Sequence, residues 1–262
     1  MEKTELKKET GNNSAGKTAR EILSIRFSPN GFSFHALTAM GIRAGEQVRK
    51  IKKEGGRGEG KAIERALDEA GLFDRIATWD AVYLFPETER SLLVPDACLK
   101  QGMEINYLSV NVFDLKEEET AIVSAPVDAI RAIMALPCET VACLETLFPN
   151  ARYFSPLQLF FAAPEPCTTR LLMLRGKTVI AAFSNSLQYA EILPCSSVAD
   201  LLYCLNRLPS ELQRNRVVVS NVGKSDLKIL HRYHKIEVED FVTLLSRFDT
   251  ILGAREDADY QR

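Results

Sequence analysis

Ile22-Leu23-Ser24-Ile25-Arg26-Phe27-Ser28-Pro29-Asn30-Gly31-Phe32-Ser33-Phe34-His35-Ala36-Leu37 is the stretch on which the fold turns. Apolar and polar residues alternate on both sides of Ser28-Pro29-Asn30-Gly31. A period of two puts one side chain in two on each face of a sheet, and a Pro-Asn-Gly turn between two such runs predicts a β-hairpin. Residues 46–51 supply a candidate third strand, and the glycine-rich run 55–60 a loop. Ile63, Ala66, Leu67 and Ala70 then recur at i, i+3, i+4 and i+7, with Gly71 placed to end a helix. The short apolar run 81–85 predicts a buried strand.

The same order returns in the second half. Residues 170–174 and 178–183 are strands on either side of the turn Arg175-Gly176-Lys177, and 187–193 supplies a third strand. Ser197 with Asp200 forms a capping box ahead of Val198, Leu201, Leu202 and Leu205. Residues 217–220 are a buried strand, and Asn221-Val222-Gly223-Lys224-Ser225 turns into a helix with Leu227, Leu230 and Tyr233. A last helix carries Phe241, Leu244, Leu245 and Phe248. An order β-β-β-α-β repeated at long period is an internal duplication. Three antiparallel strands followed by a right-handed crossover to a parallel strand is the ribonuclease-H-like topology. The sequence therefore predicts an α/β protein of two ribonuclease-H-like halves in an actin-like arrangement, each a mixed five-stranded sheet flanked by helices. A polar tail (1–20) precedes a first half (21–165) and a second half (166–262), with the seam at Ala163-Pro164-Glu165-Pro166. Before the seam, a strand at 120–124 and helices at 126–135 and 156–161 complete the first half.

Composition narrows the function classes. Of 262 residues, 46% are hydrophobic and 26% charged, ordinary globular usage. Lys plus Arg number 33 and Asp plus Glu 35, a net charge of −2 that argues against a nucleic-acid binder. Apolar runs are too short for a membrane span. The six cysteines show no CxxC pair, which fits buried thiols in the reducing cytoplasm. Residues 11–18 spell Gly-Asn-Asn-Ser-Ala-Gly-Lys-Thr, the P-loop pattern. That loop works only between a buried strand and a helix. Residues 1–10 hold a single aliphatic, Leu6, so the match sits in a polar tail. His231 and His234 stand three apart with no third metal ligand evident. The basic segment around Arg49, Lys50, Lys52, Lys53, Arg57 and Lys61 reads as a solvated face.

Residues 23–34 also resemble the start of an uncharacterised bacterial family of unknown function. So do Leu92-Leu93-Val94-Pro95, Ala121-Ile122-Val123-Ser124-Ala125-Pro126, Leu147-Phe148-Pro149 and residues 198–206. That family is similar in fold to actin-like ATPases and has no assigned activity. The resemblance implies an interdomain cleft, with ATP and Mg²⁺ as possible occupants. Actin-like ATPases place an acidic residue at the first strand–turn of each half, because Mg²⁺ takes hard oxygen ligands. Here the matching turns are Phe27-Ser28-Pro29-Asn30-Gly31 and Met173-Leu174-Arg175-Gly176-Lys177, without a carboxylate. The cleft positions expected from the resemblance are Asn30, Gly31, Gly176, Lys177, Gly223 and Lys224. No catalytic or metal-ligating residue is expected. The preferred reading is a catalytically silent protein binding a partner protein or small ligand in or near the cleft. The alternative is an ATP-binding enzyme or nucleotide switch using Asn30, Lys177 and Lys224 in nonstandard phosphate loops.

Overall fold

The alternation of the first hairpin becomes a sheet buried on both faces. The computed structural model describes residues 21–28, 31–38, 41–43, 79–111, 116–161, 164–174 and 176–259, with the helical positions 61, 64, 65, 68 and 69. Strand β1 (Ile22–Ser28) pairs antiparallel with β2 (Gly31–Thr38), Ser28 opposite Gly31. Leu23, Ile25 and Phe27 point to one face, and Ile22, Ser24 and Arg26 to the other. All six are buried. The third strand, β3 (Gly41–Arg43), comes earlier than residues 46–51, which lie outside the described residues. Lys61, Glu64, Arg65, Asp68 and Glu69 are helical and exposed, the polar face of the expected helix, whose apolar positions lie outside the described residues. The P-loop pattern and most of the basic segment lie outside them as well.

Strand β4 (Ala81–Pro86) runs parallel to β1. The chain then leaves the sheet for an insertion: β5 (Ser91–Pro95), helix α1 (Glu104–Asn111), β6 (Glu119–Val123) and β7 (Ile130–Pro137), with sheet order β5-β7-β6. The helix expected at 126–135 is therefore corrected to a hairpin and strand. Val127 and Ile130 exchange both backbone hydrogen bonds around Asp128 and Ala129, which take φ of 52° and 57°. Two successive positive φ values make the two-residue turn that suits strand twist. The residues of β7 are good helix formers, but its two faces meet different partners. Ala132, Met134 and Leu136 join one core, while Ile133 and Ala135 join another beside Leu108 of α1. Burial on both faces removes the period-two signal, so tertiary packing overrides propensity.

Helix α2 (Cys138–Leu147) returns the chain to β8 (Arg152–Tyr153), parallel to β4. A 3-10 turn, Pro156–Phe160, stands where a helix is expected. Ser155 and Gln158 close a capping box on it.

The second half holds β9 (Thr168–Leu174), β10 (Lys177–Phe183), β11 (Leu187–Pro194), α3 (Val198–Arg207), β12 (Arg216–Ser220), α4 (Lys224–Leu230), β13 (Ile236–Val238) and α5 (Phe241–Asp259). The two five-stranded sheets have matching orders, β3-β2-β1-β4-β8 and β11-β10-β9-β12-β13. Ser197 and Asp200 form the predicted capping box on α3. Four hydrogen bonds from Ser196 and Ser197 hold the Asp200 carboxyl below its usual range, backbone donation from Ser196 first.

One core joins the sheets. It holds Ile22, Tyr83 and Phe85 from the first, Leu172, Val179 and Phe183 from the second, and Phe241, Leu244, Leu245, Phe248 and Leu252 of α5. Phe248 meets Tyr83, Phe85 and Phe154 with ring centroids 6.2, 5.7 and 5.0 Å away. Each such aromatic pair adds about 0.5–1.5 kcal/mol beyond area burial. Tyr83 also donates a 2.9 Å hydrogen bond to Asp249 of α5. No disulfide forms among the six cysteines. Cys195 and Cys204 are buried, whereas Cys98, Cys138 and Cys167 are exposed, against the expectation of buried thiols throughout.

Candidate functional site

In open α/β sheets, ligands bind beyond the carboxyl ends of the parallel strands. Here that edge gathers the two hairpin turns and the ends of β4 and β12. Gly31 opens β2 opposite Ser28, and Asn30 lies outside the described residues. Glu87, buried, follows β4 and donates its backbone N–H to Phe27 at 2.8 Å. In the second hairpin Lys177 stands opposite Leu174, and Gly176 takes φ +72° with nothing near a would-be Cβ. Glycine serves the backbone angle there, not a close approach.

Lys177 decides what this edge can do. Its ammonium donates to the Glu87 carbonyl at 3.0 Å and lies 3.4 Å from Glu89 Oε1. The lysine expected to face phosphate instead ties the second hairpin to the end of β4. At 22% and 40% side-chain exposure the ion pair contributes no more than about 1 kcal/mol.

The end of β12 is built for turning. Asn221 takes φ 59° and donates from Nδ2 to the Met173 carbonyl at 2.8 Å, pinning β12 to β9. Gly223 caps α4 with φ −65°. A Cβ there would meet Asp226 and Ser225 at 3.6 and 3.9 Å, ordinary contact that an alanine tolerates. Lys224 opens the seven-residue α4 and is exposed. The structure thus brings Gly31, Gly176 and Lys177 to one edge with Glu87 and Glu89. Gly223 and Lys224 lie on the same edge of the second sheet.

The described residues of this edge, which leave out 29, 30 and 175, do not present a phosphate cradle. A phosphate cradle needs donors facing an open site, and the Lys177 ammonium faces acceptors. Among the described residues no group of three or more His, Cys, Asp or Glu side chains could hold a metal, and His231 and His234 lie in the turn after α4. The sequence reading overlooked Glu87 and Glu89. Two acids in Pro86-Glu87-Thr88-Glu89, directly after an apolar strand, were the available signal.

A second charged cluster lies behind this edge. Arg170 in β9 is 2% exposed and donates to Glu239 at 2.6 Å and Glu165 at 2.9 Å. Arg247 of α5 pairs with Glu239, and Arg216 with Glu165 and, at 3.0 Å, Glu237. Burial pushes the Arg170 guanidinium down from its ordinary value, and the Glu239 charge opposes that shift. Three cations face three carboxylates, so the cluster is a neutral clamp that holds Glu165 to β9, β12, β13 and α5.

The chain's sequence matches the profile of a family described as "Protein of unknown function (DUF3822)" over residues 10–206. It belongs to that family. None of the curated proteins matches it. Among solved structures, a Bacteroides thetaiotaomicron protein described as having an actin-like ATPase fold and unknown function aligns with a TM-score of 0.65. It is 16% identical, over 87% of this chain and 94% of that one. The cytoplasmic domain of EpsL, an inner membrane component of the type II secretion system of Vibrio cholerae, aligns with a TM-score of 0.52 and 13% identity, over 88% and 94%. This DUF3822 member therefore has the actin-like ATPase fold. No helix among its described residues is long and apolar enough to cross a membrane.

Proposed function

We propose that this DUF3822 protein is a catalytically silent member of the actin-like fold, a cytoplasmic binding or scaffold protein rather than a nucleotide-turnover enzyme. One observation carries the reading. The Lys177 ammonium is committed to Glu87 and Glu89 across the two sheets, at the place where this fold type would otherwise meet a phosphate. The division into halves at 165/166 belongs to the same reading, with a protein partner or small ligand held at or beside the cleft between their hairpins. The unpaired state of all six cysteines fits a reducing compartment. By its description EpsL is a component of a secretion system, a setting in which a protein works through its neighbours.

The test combines two measurements. A ligand that binds only the native state raises its melting temperature. The full chain is expected to show no melting shift with millimolar Mg·ATP and no phosphate release. A shift, or turnover lost on Lys177→Ala, would establish the nucleotide-dependent alternative.

A further inference from the structure

Strand β6 is an edge strand of the inserted sheet, and part of its outer edge lacks a partner. Its pairing to β7 fixes which backbone groups face outward. Cys138 donates to the Glu118 carbonyl and Ser124 to the Ala132 carbonyl, each at 2.8 Å. Antiparallel ladders alternate bonded and non-bonded positions. Thr120 and Ile122 therefore bond inward, while Glu119, Ala121 and Val123 present their N–H and C=O outward. The Glu119 N–H is taken by Lys116, and beyond the strand Ala125 donates to the Tyr153 carbonyl at 3.0 Å. Among the described residues, the backbone groups of Ala121 and Val123 have no such partner.

Beside these two residues lies an open cavity of about 480 Å³, walled by Ala121, Val123, Phe148 and Pro149 with Glu145 and Tyr153. The Tyr153 hydroxyl is buried and makes no hydrogen bond among the described residues. Burial first, and the Glu145 charge second, push its phenol up from the ordinary value. Glu117 and Glu118 stand exposed at the start of β6, and Glu145 is exposed across the cavity.

We propose that the β6 edge takes an extended, basic segment of a partner protein as an added strand, with an apolar side chain in the cavity and a Lys or Arg beside Glu145. An exposed strand edge offers main-chain hydrogen bonds to an extended peptide, and alternate side-chain pockets give specificity. The glutamates choose the sign of the partner. They also disfavour a second copy of this chain, whose edge carries the same charges. The proposal rests on reading the chain as a binding protein and places the contact on the insertion, away from Lys177.

The experiment pans a displayed library of random peptides against the full chain, with Val123→Pro and Glu145→Lys variants in parallel. Proline at 123 removes an outward N–H and no ladder bond, so the sheet is retained. The enriched peptides are expected to alternate apolar residues with at least one Lys or Arg. They should lose about tenfold or more in affinity on either variant. Hydrogen exchange at the Ala121 and Val123 amides should be fast in the free chain and slow with peptide. Tyr153→Phe, which removes a buried hydroxyl without a partner, should raise the melting temperature and leave peptide binding unchanged. Failure to enrich, peptides indifferent to Val123→Pro and Glu145→Lys, amides already protected in the free chain, or self-association through this edge would each overturn it. These results are separable from the nucleotide test: a failed panning leaves the silent cleft standing, and bound Mg·ATP would overturn the silent cleft while leaving a peptide result intact.

Discussion

The two halves share a strand order and differ in what they hang on it. Between β12 and β13 the second half makes one short helix, α4. Its outer face is closed by α3 and α4 through Leu201, Leu205 and Leu230. Between β4 and β8 the first half inserts a whole three-stranded sheet, and β7 with α2 covers the corresponding face through Ala132, Met134, Val141 and Leu144. The second half is a closed frame locked by the Arg170 clamp. The first half carries the added surface with an open edge. Lys177 ties the second hairpin to the end of β4, and the open backbone edge lies on the insertion.

The largest expected effects test whether the frame is one unit. Phe248→Ala should cost about 3–5 kcal/mol, since it empties a ring-lined core between the sheets. Urea denaturation should show a single transition, because both sheets bury side chains in that core. Two separated transitions would break the comparison by making the halves independent. Arg170→Ala should cost less, about 1–3 kcal/mol, because it removes two charge-assisted hydrogen bonds and leaves the half-buried Glu239 to Arg247 alone. A loss below 1 kcal/mol, read from the denaturation midpoint, would mean that Arg216 and Arg247 hold the clamp alone.

Smaller effects sharpen the contrast. Ser197→Ala should cost about 1 kcal/mol through the lost cap of α3. Lys177→Met should cost less than about 1 kcal/mol, as befits a partly exposed tie, and should leave the two sheets packed as judged by near-UV dichroism. The smallest effect is a pH slope from His234. Burial pushes its imidazole below the ordinary value, favouring the neutral form. Its folded-state contribution is therefore complete above about pH 6.5, the unfolded value, and is lost as pH falls through the lower folded value. Denaturation at stepped pH should show stability declining in that window, and His234→Gln should flatten the decline.

What the sequence reveals follows from which signals are local. The hairpin at Ser28–Gly31 is legible because its strands alternate over a few residues, and the one at Leu174–Lys177 because Arg175-Gly176-Lys177 punctuates two short apolar runs. The Ser197–Asp200 cap is legible because both partners lie within one turn. Strand β7 is not, because burial on both faces makes Ala132–Leu136 a continuous apolar run of helix-forming residues. The Arg170 clamp is invisible for a different reason. Its carboxylates, Glu165 and Glu239, meet it only after the strands are in register, the second from 69 residues away. Lys177 is legible as a residue of the second hairpin turn, but its partners are not. Glu87 and Glu89 lie 90 and 88 positions earlier, and only the folded sheets bring them together.

The silent cleft is most directly tested by amide chemical-shift mapping of the full chain during titration with Mg·ATP. The account predicts no clustered, saturable shifts at Gly31, Gly176, Lys177, Gly223 or Lys224. Saturable shifts centred on those amides, abolished by Lys177→Ala, would contradict it.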